Sequence, residues 1–262
     1  MKHAGTLLTV LVFAFWGTMN ALVVIRERRV ASLDQYRAGV TSFLGNTFFR
    51  ERWMSVYRKG KYIGYTGGTM EKTLTADGMV IWQTLESRVE AEPIGAVELS
   101  GTLVSDQELR PTTLNVNVRA SAIEAHISGK RSGNKFVVQI KNSLLPLPSI
   151  ELPLEELFLG DALAPSLPVA GFKVGDKLDV PCFDPITFKR EIAQAVIVSR
   201  AVKELDGVLV DSYQIETIFK GVKSSSWVNE SGELLLQEFG PPLEDYVLRR
   251  TTHQNIERLE KK

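Results

Sequence analysis

From about Glu51 onward apolar and polar residues alternate with period two, a pattern that sends every second side chain of an extended chain to the same face. Leu114, Val116 and Val118 interleave with Asn115, Asn117 and Arg119, and Ile123, Ala125 and Ile127 interleave with Glu124, His126 and Ser128. Tyr213, Ile215, Thr217 and Phe219 alternate with Ser212, Gln214, Glu216 and Ile218. One dry face and one wet face is what an antiparallel sheet with a single buried side requires. His126 falls on the wet parity. IAQAVIV, Ile192 to Val198, is apolar on both parities apart from Gln194, which predicts a strand covered on both faces.

The connections carry the chemistry of short reversals: Ala76-Asp77-Gly78, Arg131-Ser132-Gly133-Asn134, Leu205-Asp206-Gly207 and Asn229-Glu230-Ser231-Gly232-Glu233. Glycine supplies the positive φ that tight hairpins need, and strands so joined are antiparallel neighbours. Arg58-Lys59-Gly60-Lys61, between Val56-Tyr57 and Tyr62-Ile63, reads as another such reversal. Its cationic tip lacks the strand-loop-helix context of a phosphate cradle.

Between Asn142 and Gly171 the character changes to LLPLPSIELPLEELFLGDALAPSLPVAG, in which prolines are too dense for a central strand. A short helix over Leu154–Leu163, with Pro153 before or at its first turn, would carry Leu154, Leu157 and Phe158. Those three side chains are the candidate site, with two roles open to them: closing the core of a curved sheet, or forming a mobile lid over a hydrophobic groove. The insertion, 142–171, splits the β region into strands of about 53–141 and about 173–252. One continuous sheet and two packed sheets both satisfy this order. The whole reads as a mainly β chain, 51–252, with a curved antiparallel sheet forming a half-barrel or sandwich, and a charged tail at 253–262.

Ahead of the β region, Ala4 to Ile25 holds no charged residue. At about 1.5 Å per residue a helix of that length crosses a hydrocarbon core of roughly 30 Å. The run ends in Arg26-Glu27-Arg28-Arg29 and not in a small-residue cleavage site, so residues 1–25 read as an uncleaved transmembrane anchor. Residues 26–50 form a membrane-proximal linker, helix-like in the spacing of Val30, Leu33, Tyr36, Val40, Phe43 and Leu44. The arginines after the span favour a cytoplasmic domain by the positive-inside rule, which long translocated domains often override.

Lys plus Arg and Asp plus Glu number 31 each, which gives no field for nucleic acid, so no nucleic-acid partner is expected. Cys182 is the single cysteine and excludes an intramolecular disulfide. His3, His126 and His253 have no companion at metal-ligand spacing, and no nucleotide loop, nucleophile elbow or zinc motif occurs. No catalytic, cofactor-binding or metal-binding residue is therefore assigned, and no cofactor is expected. A hydrolase would need carboxylates, or Cys182 with a histidine, to converge in a cleft.

Trp53 with the hairpin YRKGKYIGY, the stretch GFKVGDKLDVPCFDPIT and the stretch SSWVNESGELLLQE together resemble the β-rich envelope domain found N-terminal to bacterial transglutaminase-like cores. The resemblance covers about Glu51 to Thr252. It implies a fold similar in outline to periplasmic lipoprotein carriers, an anchor in the bacterial inner membrane and a domain in the periplasm. It reaches no Cys, His or Asp of the transglutaminase-like core, so it carries over no catalytic residue. What it implies is a non-enzymatic single-pass protein that binds a protein partner, such as a transglutaminase-like protein, or a hydrophobic ligand. A carrier of lipid or lipoprotein acyl chains is the alternative, and an unrecognised hydrolase a second one.

Overall fold

The computed structural model describes residues 49–261 apart from 76–77, 94, 108–109, 122, 143–148, 154–171, 185–188, 206–207 and 220. The anchor at 1–25, residues 26–48 of the linker at 26–50 and most of the 142–171 insertion, including Leu154, Leu157 and Phe158, lie outside the described residues, and the last two linker residues begin the first strand. No helix among the described residues is long and apolar enough to cross a membrane.

Fourteen strands form one antiparallel sheet. In chain order they are β1 (Phe49–Arg58), β2 (Lys61–Thr75), β3 (Gly78–Ala91), β4 (Gly95–Asp106), β5 (Pro111–Ala120), β6 (Ile123–Ser132) and β7 (Lys135–Asn142), followed by β8 (Ile150–Pro153), β9 (Lys177–Asp184), β10 (Lys189–Leu205), β11 (Val208–Phe219), β12 (Val222–Asn229), β13 (Leu234–Phe239) and β14 (Tyr246–Thr251). A helix, α1 (His253–Glu260), follows. The lateral order is β8-β7-β6-β5-β4-β3-β2-β1-β14-β13-β12-β11-β10-β9. Every strand thus pairs with its neighbours in sequence, and β14 returns to β1 with Trp53 opposite Thr251 and Val56 opposite Leu248. Of all consecutive strands, only β8 and β9 are unpaired. The strand order is an up-and-down meander broken at one seam, where the edge strands β8 and β9 do not pair, and of the two architectures open to the sequence it is the single continuous sheet.

The parity expected from sequence sets the faces. Leu114, Val116 and Val118 are buried while Asn115, Asn117 and Arg119 are exposed. Two apolar clusters fill the buried, concave face. One joins Leu85 of β3, Leu99 and Leu103 of β4, and Leu114 of β5 to Phe136 and Val138 of β7. The other joins Met54 and Val56 of β1 to Ile197 of β10, Ile215 of β11, Val228 of β12 and Leu248 of β14. Each such side chain contributes about 1.5–3 kcal/mol by leaving water.

In β10 the two-sided burial expected for IAQAVIV does not occur. Ala193, Ala195 and Ile197 are buried, Gln194 is exposed, and Val196 and Val198 are half-buried. The strand has one packed face, and the register shift between Ile197 and Ser199 changes which residues reach it.

Local chemistry shapes the curve. Lys59 (φ 50) and Gly60 (φ 76) are both left-handed, and Arg58 pairs with Lys61, which is the two-residue hairpin that matches strand twist. The Lys59-Gly60 tip is therefore a turn. The Lys59 backbone N–H donates to the Asp245 carbonyl at 2.9 Å and its ammonium lies 3.3 Å from the Asp245 carboxylate. At the far end of the sheet Arg131 donates to Asp106 Oδ2 (2.8 Å) and to the carbonyls of Pro111 and Arg110 (3.0 and 2.9 Å), which fastens the β4–β5 connection to β6.

Aromatic rings occupy the space left by missing side chains. A Cβ at Gly129 would lie 2.5 Å from the Phe136 ring on the concave face, and one at Gly67 would lie 2.1 Å from the Trp53 ring on the convex face. Gly129→Ala is expected to cost about 1–3 kcal/mol, because Phe136 is fully buried and must be displaced. Lys130→Ala, at the adjacent exposed position, is expected to stay within about 0.5 kcal/mol. Equal urea midpoints for the two would contradict the packing. In β11, Ile215→Asp places an unpaired charge at a fully buried site and is expected to cost about 3–5 kcal/mol. Gln214→Asp loses hydrogen bonds to Ser199 and Ser225, worth about 1 kcal/mol each. Matching melting temperatures for these two variants would refute the parity.

Candidate functional site

The insertion connects the two sides of the seam. Before it, Ile150 and Leu152 of β8 pack on the first apolar cluster, and Lys135 and Glu151 form an ion pair that ties β8 to β7. After it, Phe172 packs on the second cluster. The chain therefore leaves one cluster as β8 and returns to the other at Phe172, with residues 154–171 between. That placement fits both roles expected of Leu154, Leu157 and Phe158.

On the concave side, Arg50 and Arg52 of β1, Met70 of β2 and Gln83 of β3 line a crevice of about 10 Å³, the size of one water site. Arg52 and Gln83 are buried. This polar patch lies beside the apolar clusters and was not anticipated from the sequence, where Arg52 reads as an ordinary charge at the start of a strand.

The residues weighed for chemistry do not share a strand or a face element. His126 is on β6, where its Nδ1 lies 2.8 Å from Asn117 Oδ1. His253 begins α1 and stacks on Trp53 at 4.6 Å between ring centroids, with Nδ1 3.6 Å from Glu257. Cys182 is on β9, opposite Glu191. Among the described residues no group of three or more His, Cys, Asp or Glu is placed to hold a metal ion.

The convex face carries an assembly that sequence reading treated only as a charged tail. Thr252 caps α1 by accepting from the Asn255 N–H at 3.2 Å. The helix runs back over β1–β3 and buries Ile256. Glu260 accepts from the Tyr62 hydroxyl at 2.9 Å and lies 3.7 Å from Arg88, while Tyr65 donates to Glu86 at 2.6 Å. The available signal was Thr252 followed by Ile256 and the His253–Glu257 spacing of one helical turn.

A third feature is the end of the sheet at which β1 begins. Successive antiparallel registers place the start of β1, the β2–β3 hairpin and the β10–β11 hairpin at this same end. Phe49 starts β1, Leu74 faces Met79 across one hairpin, and Val202, Val208 and Leu209 belong to the other; all are exposed, Leu74 and Leu209 by 78% and 71%. Leu74, Met79, Val202 and Leu209 have the parity of the concave face but lie past the level where that face is packed.

No family model and no curated protein matches the chain. Among solved structures it is similar to a β-barrel-like protein of the domain of unknown function DUF1849 from Brucella abortus, with 11% identity, a TM-score of 0.40, and coverage of 77% of this chain and 94% of that one.

Burial raises the phenol pKa of Tyr62 and of Tyr65 well above the usual range, and the hydrogen bonds and charges of Glu260 and Glu86 act in the same direction. An unfolded phenol ionises near pH ~10, so above that pH the unfolded state binds fewer protons than the folded one and stability falls as pH rises. Replacing both tyrosines, Tyr62→Phe with Tyr65→Phe, is expected to flatten that fall. Urea unfolding at about pH 8 and about pH 11 checks it, and an unchanged loss in the double variant would disprove the assignment.

Proposed function

We propose that the protein is a single-pass envelope protein of the bacterial inner membrane, anchored through Ala4–Ile25 with its β domain in the periplasm. The domain works by binding a protein partner at its surface and not by making or breaking bonds. The observation that supports this most directly is the filling of the concave face by its own side chains. Phe136, Leu114, Ile197 and Leu235 are at most 1% exposed, and the crevice beside Arg52 admits about one water. A small-molecule pocket usually has about 300–1,000 Å³. The partner proposed is a transglutaminase-like protein, on the strength of the three motifs beginning at Trp53, Gly171 and Ser225.

A second reading, a carrier of lipid or lipoprotein acyl chains, is favoured by the seam. The pairing of consecutive strands is interrupted between β8 and β9, where the insertion bearing Leu154, Leu157 and Phe158 is inserted in the chain. A lid placed there would open onto the concave face.

The test uses the full chain in detergent micelles. With a transglutaminase-like protein of the same cell it is expected to co-elute as a complex on size exclusion, and separate elution from every such protein would remove that partner. Native mass spectrometry of the same sample addresses the carrier. Surface binding predicts equal lipid retention by the native chain and by Phe158→Asp. Lipid lost selectively on Leu157→Asp or Phe158→Asp would replace it with the carrier reading.

A further inference from the structure

We propose that the apolar end of the sheet, formed by Phe49 and the tips of the β2–β3 and β10–β11 hairpins, rests on the surface of the lipid bilayer. The inference deepens the anchored reading above and rests on it. It adds that the domain does not swing freely on its tether but is seated with one end against the membrane.

Three observations converge on this end. Its exposed side chains are large and apolar at three separate places in the sequence: Phe49, Leu74 with Met79, and Val202 with Val208 and Leu209. Charged residues occur at both ends, Arg131, Lys135 and Glu230 at this one and Lys59, Lys61, Glu92 and Glu244 at the other, but among the described residues Ile218 is the one large exposed apolar side chain toward the opposite end. The asymmetry is between the two ends of one sheet, and lone exposed apolar residues scattered over a surface would not produce it.

The second observation is where the chain leads. Phe49 is at once part of the apolar end and the residue from which the chain runs back to Ile25, the last residue of the uncharged segment. The 23 residues between them, 26–48, reach at most about 80 Å when fully extended. The chain from the anchor therefore enters the domain at the apolar end, and the tether keeps the domain at high local concentration beside the membrane. A second copy of the chain has no comparable feature directing it to this end.

The third observation is charge. Acidic and basic residues adjoin throughout this end, Glu71 with Lys72 and Lys203 with Glu204 in sequence and Arg131 with Asp106, Lys135 with Glu151 and Arg200 with Glu230 as ion pairs. The end carries no single-sign field that would draw it to anionic headgroups from a distance. Contact is apolar, through side chains entering the interface between headgroups and acyl chains, and is expected to persist at high salt.

The experiment uses the full chain in phosphatidylethanolamine and phosphatidylglycerol vesicles, with tryptophan quenched by lipids brominated near the headgroup for reporters in the domain and near the acyl-chain ends for Trp16, which lies at the middle of Ala4–Ile25. Trp53 and Trp227 are buried. The Trp82→Phe variant keeps Trp16, inside Ala4–Ile25, as the reporter of the anchor. Combining Trp16→Phe and Trp82→Phe silences both, and into that background Leu74→Trp, Leu209→Trp or Lys61→Trp is introduced at an exposed position. Strong quenching of the reporters at 74 and 209, several-fold above the reporter at 61, is the expected result. Quenching of Trp16 with none at 74 and 209 would overturn the seating while leaving the anchor intact. Equal quenching at 61, 74 and 209 would also overturn it, because the contact would then not be confined to one end. An unquenched Trp16 would remove the anchor and the seating together.

Discussion

One constraint organises the molecule: a single sheet has two faces, and its apolar face has to be buried largely by the sheet itself. The one helix among the described residues packs on the other side, over Trp53 and Tyr62. Curvature is therefore a condition of stability, since a flat sheet with this sequence would leave Leu114, Ile197 and Phe136 in water. The extra residues in β2, β5, β10 and β13 at the register shifts and the rings of Trp53 and Phe136 lying over Gly67 and Gly129 are the devices that let it curve. The pairing of β14 with β1 then unites the strands before and after the insertion into one hydrogen-bonded ladder, so the two apolar clusters belong to one scaffold.

The local part of this was legible in the sequence because its causes are local. Alternation in β5 and β11 named the buried residues, and Lys59-Gly60 and Asn229–Glu233 named the reversals. The Asn229 turn, for instance, forms because its carboxamide oxygen accepts from the Glu233 N–H at 2.8 Å and from the Ser231 hydroxyl at 2.7 Å. The pairing of β1 with β14 was not legible, since it joins residues about two hundred positions apart and no short pattern encodes it. In β10 the run of apolar letters misled for a related reason. Val196 and Val198 are β-branched residues that suit a strand on either face, so their presence does not specify burial.

Helix α1 shows why polar composition concealed a packed element. Most of its eight residues are polar or charged, and only Ile256 is buried. At that length, isolated helices are marginal in water. The convex face supplies what propensity does not: a Trp53 ring beneath His253, the Tyr62 hydroxyl for Glu260, and Arg88 beside it. These partners come from three strands that are adjacent only once the sheet has formed. The candidate site divides along the same line. Leu154, Leu157 and Phe158 were visible as a proline-bounded leucine cluster, whereas the apolar end draws on Phe49, Leu74 and Leu209, which come to one end of the sheet only through the strand order.

That strand order also bears on how the proposed binding and anchoring would coexist in one domain. A sheet packed along its concave face offers its convex side, its seam and its two ends for contact, and these are not equivalent. The convex side over β1–β3 is occupied by α1, and the polar end is closed by the Lys59–Asp245 contact. Seating the apolar end on lipid would cover Leu74 and Leu209, leaving the convex surface beyond α1 and the strands beside the seam turned toward solvent. A partner engaging those surfaces would meet a domain whose orientation is already restricted, so less rotational freedom is lost on association than for a domain on a loose tether. The same exposed residues that look costly for an isolated soluble domain would then improve recognition by fixing which surfaces face away from the membrane.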